Sequence, residues 1–229
     1  MTAILKVDTI QDTAGNNIIN ESSNTITIGA SGDTISIPSG ATITNSGTAT
    51  GFGSMIKLQT QTASSSSNIT FSSTYITTTY KRYELHWSDV VISSDGGNIS
   101  SVVSVDNGSN YVTSGYKYRR EFSASDTANN AVASGGGTTN SALIMSGSGR
   151  GMGTATDESA SGTLIMFNPF SADSKLFISD AVFINDAGLV TQNLVYQALI
   201  QSATYNNLKI IPNTGTIVSG TFTLYGVTT

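Results

Sequence analysis

A short repeat near the amino terminus limits the folds that this chain can adopt. Residues 24–47 hold three near-copies of one phrase, NTITIGASG, DTISIPSG and ATITNSG. Apolar and hydroxyl side chains alternate within each phrase, and this alternation is typical of a half-buried β-strand. Each phrase therefore predicts one short strand followed by a turn. The apolar face of these strands consists of Ile26, Ile28, Ile35, Ile37 and Ile43.

Each phrase ends on a glycine, at Gly32, Gly40 and Gly47. Glycine adopts positive φ at no steric cost, because it has no Cβ atom. The three glycines therefore predict tight corners between the strands of the repeat.

A single chain cannot bury the isoleucines of this repeat. Five isoleucines on short strands do not offset about 1–2 kcal/mol of backbone ordering per residue. If several identical chains wind around a common axis, each isoleucine pair meets its symmetry mates and the strand edges pair between chains. The repeat therefore predicts an intertwined β-stranded shaft made by more than one copy of the chain.

Composition changes at the end of the repeat. Between Ser22 and Ile56 the only charged residue is Asp33, and Phe52 is the only aromatic residue before Phe71. The glycine- and serine-containing residues 48–54 predict a loose boundary. We expect an attachment segment at residues 1–21, the shaft at 22–53 and a head domain at 54–229. For residues 1–21, a strand, a turn at residues 13–17 and a second apolar pair suit either a docking element or a frayed terminus.

The head domain has the pattern of short strands separated by polar loops, and no long stretch has a convincing helical period. In YELHW, Tyr83, Leu85 and Trp87 share one face, with Glu84 and His86 on the other. The closing SGTFTLYGV alternates in the same way. The sequence predicts an all-β protein whose head is an antiparallel, jelly-roll-like β-sandwich.

Charge and composition exclude several classes of function. The net charge of −5 gives no basic footprint for nucleic acid. The chain has no cysteine, so disulfides, thiol chemistry and cysteine zinc sites are excluded. No segment approaches the roughly 20 apolar residues of a membrane span, and the start lacks a signal-peptide pattern. We expect a chain that is not inserted in a membrane.

Signals for catalysis are weak. His86 is the only histidine, which rules out a histidine metal cluster and favours a surface residue. The glycine-rich residues 147–153 lack the Lys–Ser/Thr ending of a phosphate loop and predict a flexible loop. Asp157 and Glu158 are neighbours that point apart on an extended segment, whereas a glycosidase needs two acids facing across its substrate. We predict no enzyme activity, no catalytic or metal site and no cofactor.

One strand combines aromatic and basic side chains. In YKYRREF, residues 116–122, the alternation places Lys117 and Arg119 on one face and Tyr118 and Arg120 on the other. Such residues can bind sugars or phosphates by stacking and charge, although a salt-bridged strand or a subunit contact is favoured. The candidate contact residues are Tyr116, Lys117, Tyr118, Arg119 and Arg120.

Several of these segments resemble a known family. ILKVDTIQDTAGNNIIN, GDTISIPSGATITNSGTATGFG, MFNPFS before SKLFIS, and the final SGTFTLYGV are similar to tail-fibre-like virion proteins of tailed phages that infect marine bacteria. The similarity covers most of the chain, except for the middle loops. It implies a homotrimer on the virion, as a tail or capsid appendage.

The resemblance also implies that residues 1–21 would bind another virion protein. The shaft-and-head layout indicates a role in which the trimeric head would attach to a glycan or protein of the host surface. Two alternatives remain open. One is a capsid-attached fibre or decoration protein with an architectural role only, and the other is a polysaccharide depolymerase spike.

Overall fold

The computed structural model describes residues 9–15, 17–23, 25–29, 31–38, 40–44, 54–125, 133–147, 150–201 and 203–227. In these ranges every regular element is a β-strand, so the prediction of an all-β protein is confirmed. None of the described residues forms a helix that could cross a membrane. The chain divides into two compact units, Met1–Thr50 and Gly51–Thr229.

The first unit contains one antiparallel sheet in the order β1-β2-β3, with β1 at Thr9–Gln11, β2 at Asn17–Ser22 and β3 at Thr25–Ile28. The turn predicted at residues 13–17 joins β1 to β2. In this turn the Gly15 amide donates to the Asp12 carbonyl at 3.1 Å, and Gly15 has a φ of 86°. Strand β2 runs across the boundary predicted between residues 21 and 22.

Among the described residues of the repeat, only those of the first phrase form a strand. Ile26 and Ile28 lie on β3, whereas Ile35, Ile37 and Ile43 lie outside any strand. The expectation of one strand per phrase is wrong for the single chain. A strand is defined by its ladder to a neighbour, and no described strand lies beside residues 33–38 or 41–44.

Two of the three predicted corners are present. Gly32 and Gly40 have φ values of 97° and 85°, in the left-handed region that favours glycine. Gly47 lies outside the described residues.

The second unit contains two antiparallel sheets. The large sheet has the strand order β4-β15-β6-β11-β12-β13-β8-β9, and the small sheet has the order β10-β7-β14-β5. The strands of this unit are β4 (Met55–Ser66), β5 (Ile69–Phe71), β6 (Arg82–Ile92), β7 (Ile99–Ser104), β8 (Tyr116–Ala124), β9 (Ala133–Asn140), β10 (Leu143–Ile144), β11 (Ala160–Phe167), β12 (Lys175–Ile184), β13 (Val190–Leu199), β14 (Asn207–Pro212) and β15 (Ile217–Val227).

The core of this unit is shared by both sheets, as in a β-sandwich. The inward positions of β6, including Leu85 and Trp87, pack with Phe222 of β15 and with Val103 and Ile210 of the small sheet. Each such side chain stabilises the fold by about 1.5–3 kcal/mol through burial. The inward faces predicted for YELHW and SGTFTLYGV are confirmed.

Trp87 packs against a glycine of the adjacent strand β11. A Cβ atom on Gly162 would lie 2.7 Å from the Trp87 ring and 2.3 Å from the Asp180 carbonyl oxygen. Both distances are below any normal contact, so the position accepts only glycine without displacement of its neighbours. This glycine makes room for the indole between β11 and the core.

Side chains of the large sheet hold the two-residue strand β10 in place. The buried Gln197 amide of β13 accepts from the Ile144 backbone N–H at 2.6 Å and donates to the Ile144 carbonyl at 2.9 Å. The Ser179 hydroxyl donates to the Met145 carbonyl at 3.3 Å. These bonds satisfy backbone groups that would otherwise be unpaired at the end of the small sheet.

Candidate functional site

We call the surface of the large sheet that points away from the core its outer face. Strand register places one row of residues across it, with Arg119 of β8 opposite Tyr196, Tyr196 opposite Ile178, Ile178 opposite Ile165, and Ile165 opposite Glu84 of β6. The row therefore runs from a basic strand, across apolar residues, to a carboxylate.

Much of the outer face is apolar, with the exposed Asp180 of β12 among its apolar residues. Leu176, Val182 and Tyr196 are 56%, 51% and 49% exposed. The half-buried outward residues beside them on β11, β12 and β13 are Ile165, Phe167, Ile178 and Leu194. Exposed apolar groups at this density mark interaction surfaces more often than ordinary monomer surface.

The sequence signal for this face lies in β12. Its sequence KLFISDAVFI is apolar at inward Phe177, Ala181 and Phe183, and also at outward Leu176 and Val182. Apolar residues on both faces of a strand are typical of a strand that is covered on both sides. An apolar outward face on this strand is not among the features predicted from the sequence.

Next to the apolar residues of the outer face lies a charged cluster on β6. The Glu84 residue is only 7% exposed, although it faces outward as predicted. Its carboxylate accepts a hydrogen bond from the Arg82 guanidinium, and Nε2 of His86 lies 3.0 Å from Oε2 of Glu84. The His86 ring also packs on Tyr225, with ring centroids 5.0 Å apart. His86 is thus a half-exposed surface residue in an ion-pair cluster.

The face assignment predicted for β8 is confirmed. Lys117 and Arg119 are exposed on the outer face, while Tyr118 and Arg120 are half-buried on the other. The Arg120 guanidinium carbon lies 6.0 Å from the Tyr118 ring centroid and 5.1 Å from that of Phe122. Arg120 is therefore held between two aromatic rings along its own strand.

The prediction that Tyr116 is a contact residue is wrong. It is fully buried, and its hydroxyl accepts from the Val103 backbone N–H at 3.2 Å and donates to the Val112 carbonyl at 3.1 Å. Burial raises the pKa of this phenol well above its usual value. Tyr116 joins β8 to the small sheet in the core and is not accessible to a ligand or a subunit at the surface.

The glycine-rich residues 147–153 are packed where they are described, so the expectation of a flexible loop is wrong there. Met152 is buried, and its amide donates to the Gly97 carbonyl at 2.7 Å. A Cβ atom on Gly151 would lie 2.0 Å from the Gly96 carbonyl oxygen. The glycines allow two backbone segments to approach closely.

The adjacent acids play different local roles. Glu158 accepts from the Ala155 backbone N–H at 2.6 Å and so closes a turn, whereas Asp157 is exposed. Among the described residues, no group of three His, Asp or Glu side chains is arranged to hold a metal ion.

Comparisons with models of protein families, with curated proteins and with solved structures gave no match to this chain. Its function is therefore inferred from its own residues.

Proposed function

We propose that the chain is a virion fibre or spike protein of a tailed phage. In this proposal it forms a homotrimer in which residues 22–53 build an intertwined shaft and the jelly-roll-like head attaches to the host surface. Residues 1–21 connect the trimer to another virion protein, as a tail or capsid appendage.

The exposure of the shaft isoleucines carries the proposal. In the single chain Ile26, Ile28, Ile35, Ile37 and Ile43 are 67%, 55%, 59%, 47% and 59% exposed. Full burial of one such side chain is worth about 1.5–3 kcal/mol. Association of identical chains along this segment would remove the isoleucines from water and would give residues 33–38 and 41–44 a neighbouring strand.

The head offers a second surface for the same association. Its apolar outer face, with Leu176, Val182 and Tyr196 exposed, lies between the basic outward side of β8 and the charged cluster of β6. Two separate apolar surfaces on one chain support an assembly of several subunits more strongly than either surface alone.

Display in three copies would strengthen attachment to the host surface. Three weak sites on one particle act together when the receptor is multivalent, and the combined affinity can exceed that of one site by about 10²–10⁴-fold. Charged residues make up only 11% of the chain. The surface therefore depends on hydroxyl, amide and aromatic groups, which suit hydrogen bonding and stacking.

Analytical ultracentrifugation of the purified chain tests the assembly. We expect a species of about 71 kDa, three times the 23.7 kDa chain. A stable monomer with residues 24–47 fully ordered would contradict the proposal. Binding of the purified protein to host cells tests attachment separately. An intact trimer that binds no host cell would leave only an architectural role.

A further inference from the structure

A cavity of about 230 Å³ opens between the two sheets of the second unit. It lies where β7 and β10 of the small sheet approach β8 and β9 of the large sheet. None of the residues that line it is charged, and most carry an amide or a hydroxyl group. The lining residues are Asn98, Ser100, Tyr118, Asn140, Ser141, Ala142, Ile144 and Asn213.

Hydrogen bonds position the side-chain amides of Asn213 and Asn140 in the cavity, and each bond uses only one end of the amide. Oδ1 of Asn213 accepts from the Asn98 backbone N–H at 2.8 Å, so the Asn213 Nδ2 group is left as a donor. Nδ2 of Asn140 donates to the Ala142 carbonyl at 2.6 Å, so its Oδ1 is left as an acceptor. A carboxamide has two donors and two acceptor lone pairs, which permits this division.

Two hydroxyl groups add to this set. The side chains of Ser100 and Ser141 make no hydrogen bond to any other residue in the described part of the chain. A hydroxyl can donate and accept and rotates to suit its partner. The cavity thus offers a fixed donor, a fixed acceptor and two adaptable groups at its wall.

Tyr118 supplies a flat apolar surface in the same cavity. Its ring lies directly against β9, because a Cβ atom on Gly137 would be only 2.7 Å from the ring edge. This close approach limits the positions that the ring can take. A held aromatic ring beside amides and hydroxyls suits a ligand that has both an apolar C–H face and several hydroxyl groups.

We propose that this cavity binds one unit of a neutral saccharide, an inference that rests on the proposed function in host attachment. The lining holds no cation for an acidic sugar or a phosphate. The volume is also below the roughly 300–1,000 Å³ of sites for drug-sized ligands, which leaves little room for a peptide. Weak binding at each cavity would be strengthened by three copies in the trimer.

Saturation-transfer difference NMR on the full chain tests this proposal. The probes are glucose, galactose, fucose and N-acetylglucosamine as neutral sugars, with glucuronic acid and N-acetylneuraminic acid as acidic ones. We expect saturation transfer to the ring C–H protons of at least one neutral sugar and to neither acidic sugar. A signal for acidic sugars alone, or for no sugar, would overturn the proposal.

Two variants locate the binding. Ser141 is exposed at the cavity wall, so Ser141→Trp should fill the opening and remove most of the signal, while circular dichroism stays unchanged. Ser174→Trp, at an exposed serine between β11 and β12 that does not line the cavity, is the matched control. Asn213→Ala removes the unused donor and should weaken binding about tenfold, the loss of one hydrogen bond of roughly 1.4 kcal/mol.

The variants also separate this inference from the proposed function. If Ser141→Trp reduces both sugar signal and binding to host cells, both ideas are supported. If the wild-type chain binds host cells and Ser141→Trp binds them equally well, attachment survives and the cavity is not its site. A sugar signal that Ser141→Trp leaves unchanged would likewise overturn the cavity assignment.

Discussion

In β3 of the first unit, Ile26 and Ile28 alternate with threonines, and in β15 of the second unit Phe222 and Leu224 alternate with polar residues. The apolar side chains of β15 are buried and those of β3 are exposed. The difference lies in what faces each strand. β15 lies between β4 and β6 and is covered by the small sheet, whereas β3 pairs with β2 on one side only.

This comparison shows that alternation determines which face of a strand is apolar. It does not determine what covers that face. In the second unit the chain returns often enough to cover its own strands. Beside residues 33–38 and 41–44 the structure describes no strand of the same chain, and in the proposed function other copies of the chain would cover them.

Removing the isoleucines of the shaft should have the largest effect. The triple change Ile26→Ser, Ile28→Ser and Ile35→Ser removes three of the five isoleucines through which the proposed shaft associates. We expect sedimentation to show monomers, while the near-ultraviolet circular dichroism of the head stays unchanged. A triple change at outward threonines, Thr25→Ser, Thr27→Ser and Thr34→Ser, is the control and should leave the assembly intact. Unchanged mass for the isoleucine variant would contradict the comparison.

A substitution in the self-contained unit should act on folding instead. Phe222→Ala removes a fully buried ring, and we expect the free energy of unfolding to fall by about 3–5 kcal/mol. Urea unfolding followed by Trp87 fluorescence measures it. Tyr225→Ala, three residues along the same strand and half-buried on the outer face, should cost only about 1 kcal/mol. Equal losses for the two variants would refute the assigned faces.

The close packing around Gly162 in the second unit can be tested by substitution. Gly162→Ala places a methyl group against Trp87 and the Asp180 carbonyl, and overpacking of this kind costs about 1–3 kcal/mol. A lower urea midpoint with a shifted Trp87 emission is the expected result. Gly188→Ala is a useful contrast, because it has open space around it but a φ of 72°. It should lower stability through backbone strain and leave the tryptophan spectrum unchanged.

The smallest effect concerns the exposed loop after β7. The carboxylate of Asp106 accepts from the Asn110 backbone N–H and side-chain amide at 2.8 and 2.7 Å and from the Ser104 hydroxyl at 2.7 Å. These bonds lower the pKa of Asp106 to about 2. Because the unfolded carboxyl has a pKa of about 3.9, the stability is present above that pH and is lost as the pH falls towards 2.

The test compares the thermal unfolding midpoints of the wild type and Asp106→Asn between pH 5 and pH 2. Asp106→Asn should melt below the wild type at pH 5, and the gap should narrow as the pH falls to 2. Asp95→Asn, at an exposed aspartate in the loop after β6, removes the same charge elsewhere and is measured beside it as the matched control. A constant gap for Asp106→Asn would mean that ionisation is not the cause.

The sequence predicted what depends on local pattern. Tyr83, Leu85 and Trp87 face the core because alternation alone decides their side of the sheet, and the turn around Gly15 follows from its residues. The packed position of Met152 could not be predicted, because it depends on contact with Gly97, more than 50 residues away in the sequence. The apolar outer face was not predicted, because the pattern of β12 does not show which strands lie beside it in the sheet.

The candidate site was predicted less completely than the fold. The faces of Lys117, Tyr118, Arg119 and Arg120 followed from alternation, but the burial of Tyr116 depends on the small sheet above it. The cavity was not predicted, since its asparagines come from separate loops and strands that only the fold brings together.

The amide of Gln197 has a consequence for the edge of the small sheet. Strand β10 ends the small sheet, and open backbone groups at such a position invite pairing with another molecule. Because Gln197 occupies both the N–H and the carbonyl of Ile144 from within, another molecule finds no free ladder there to extend. A single glutamine thus closes this edge of the small sheet to strand pairing from outside.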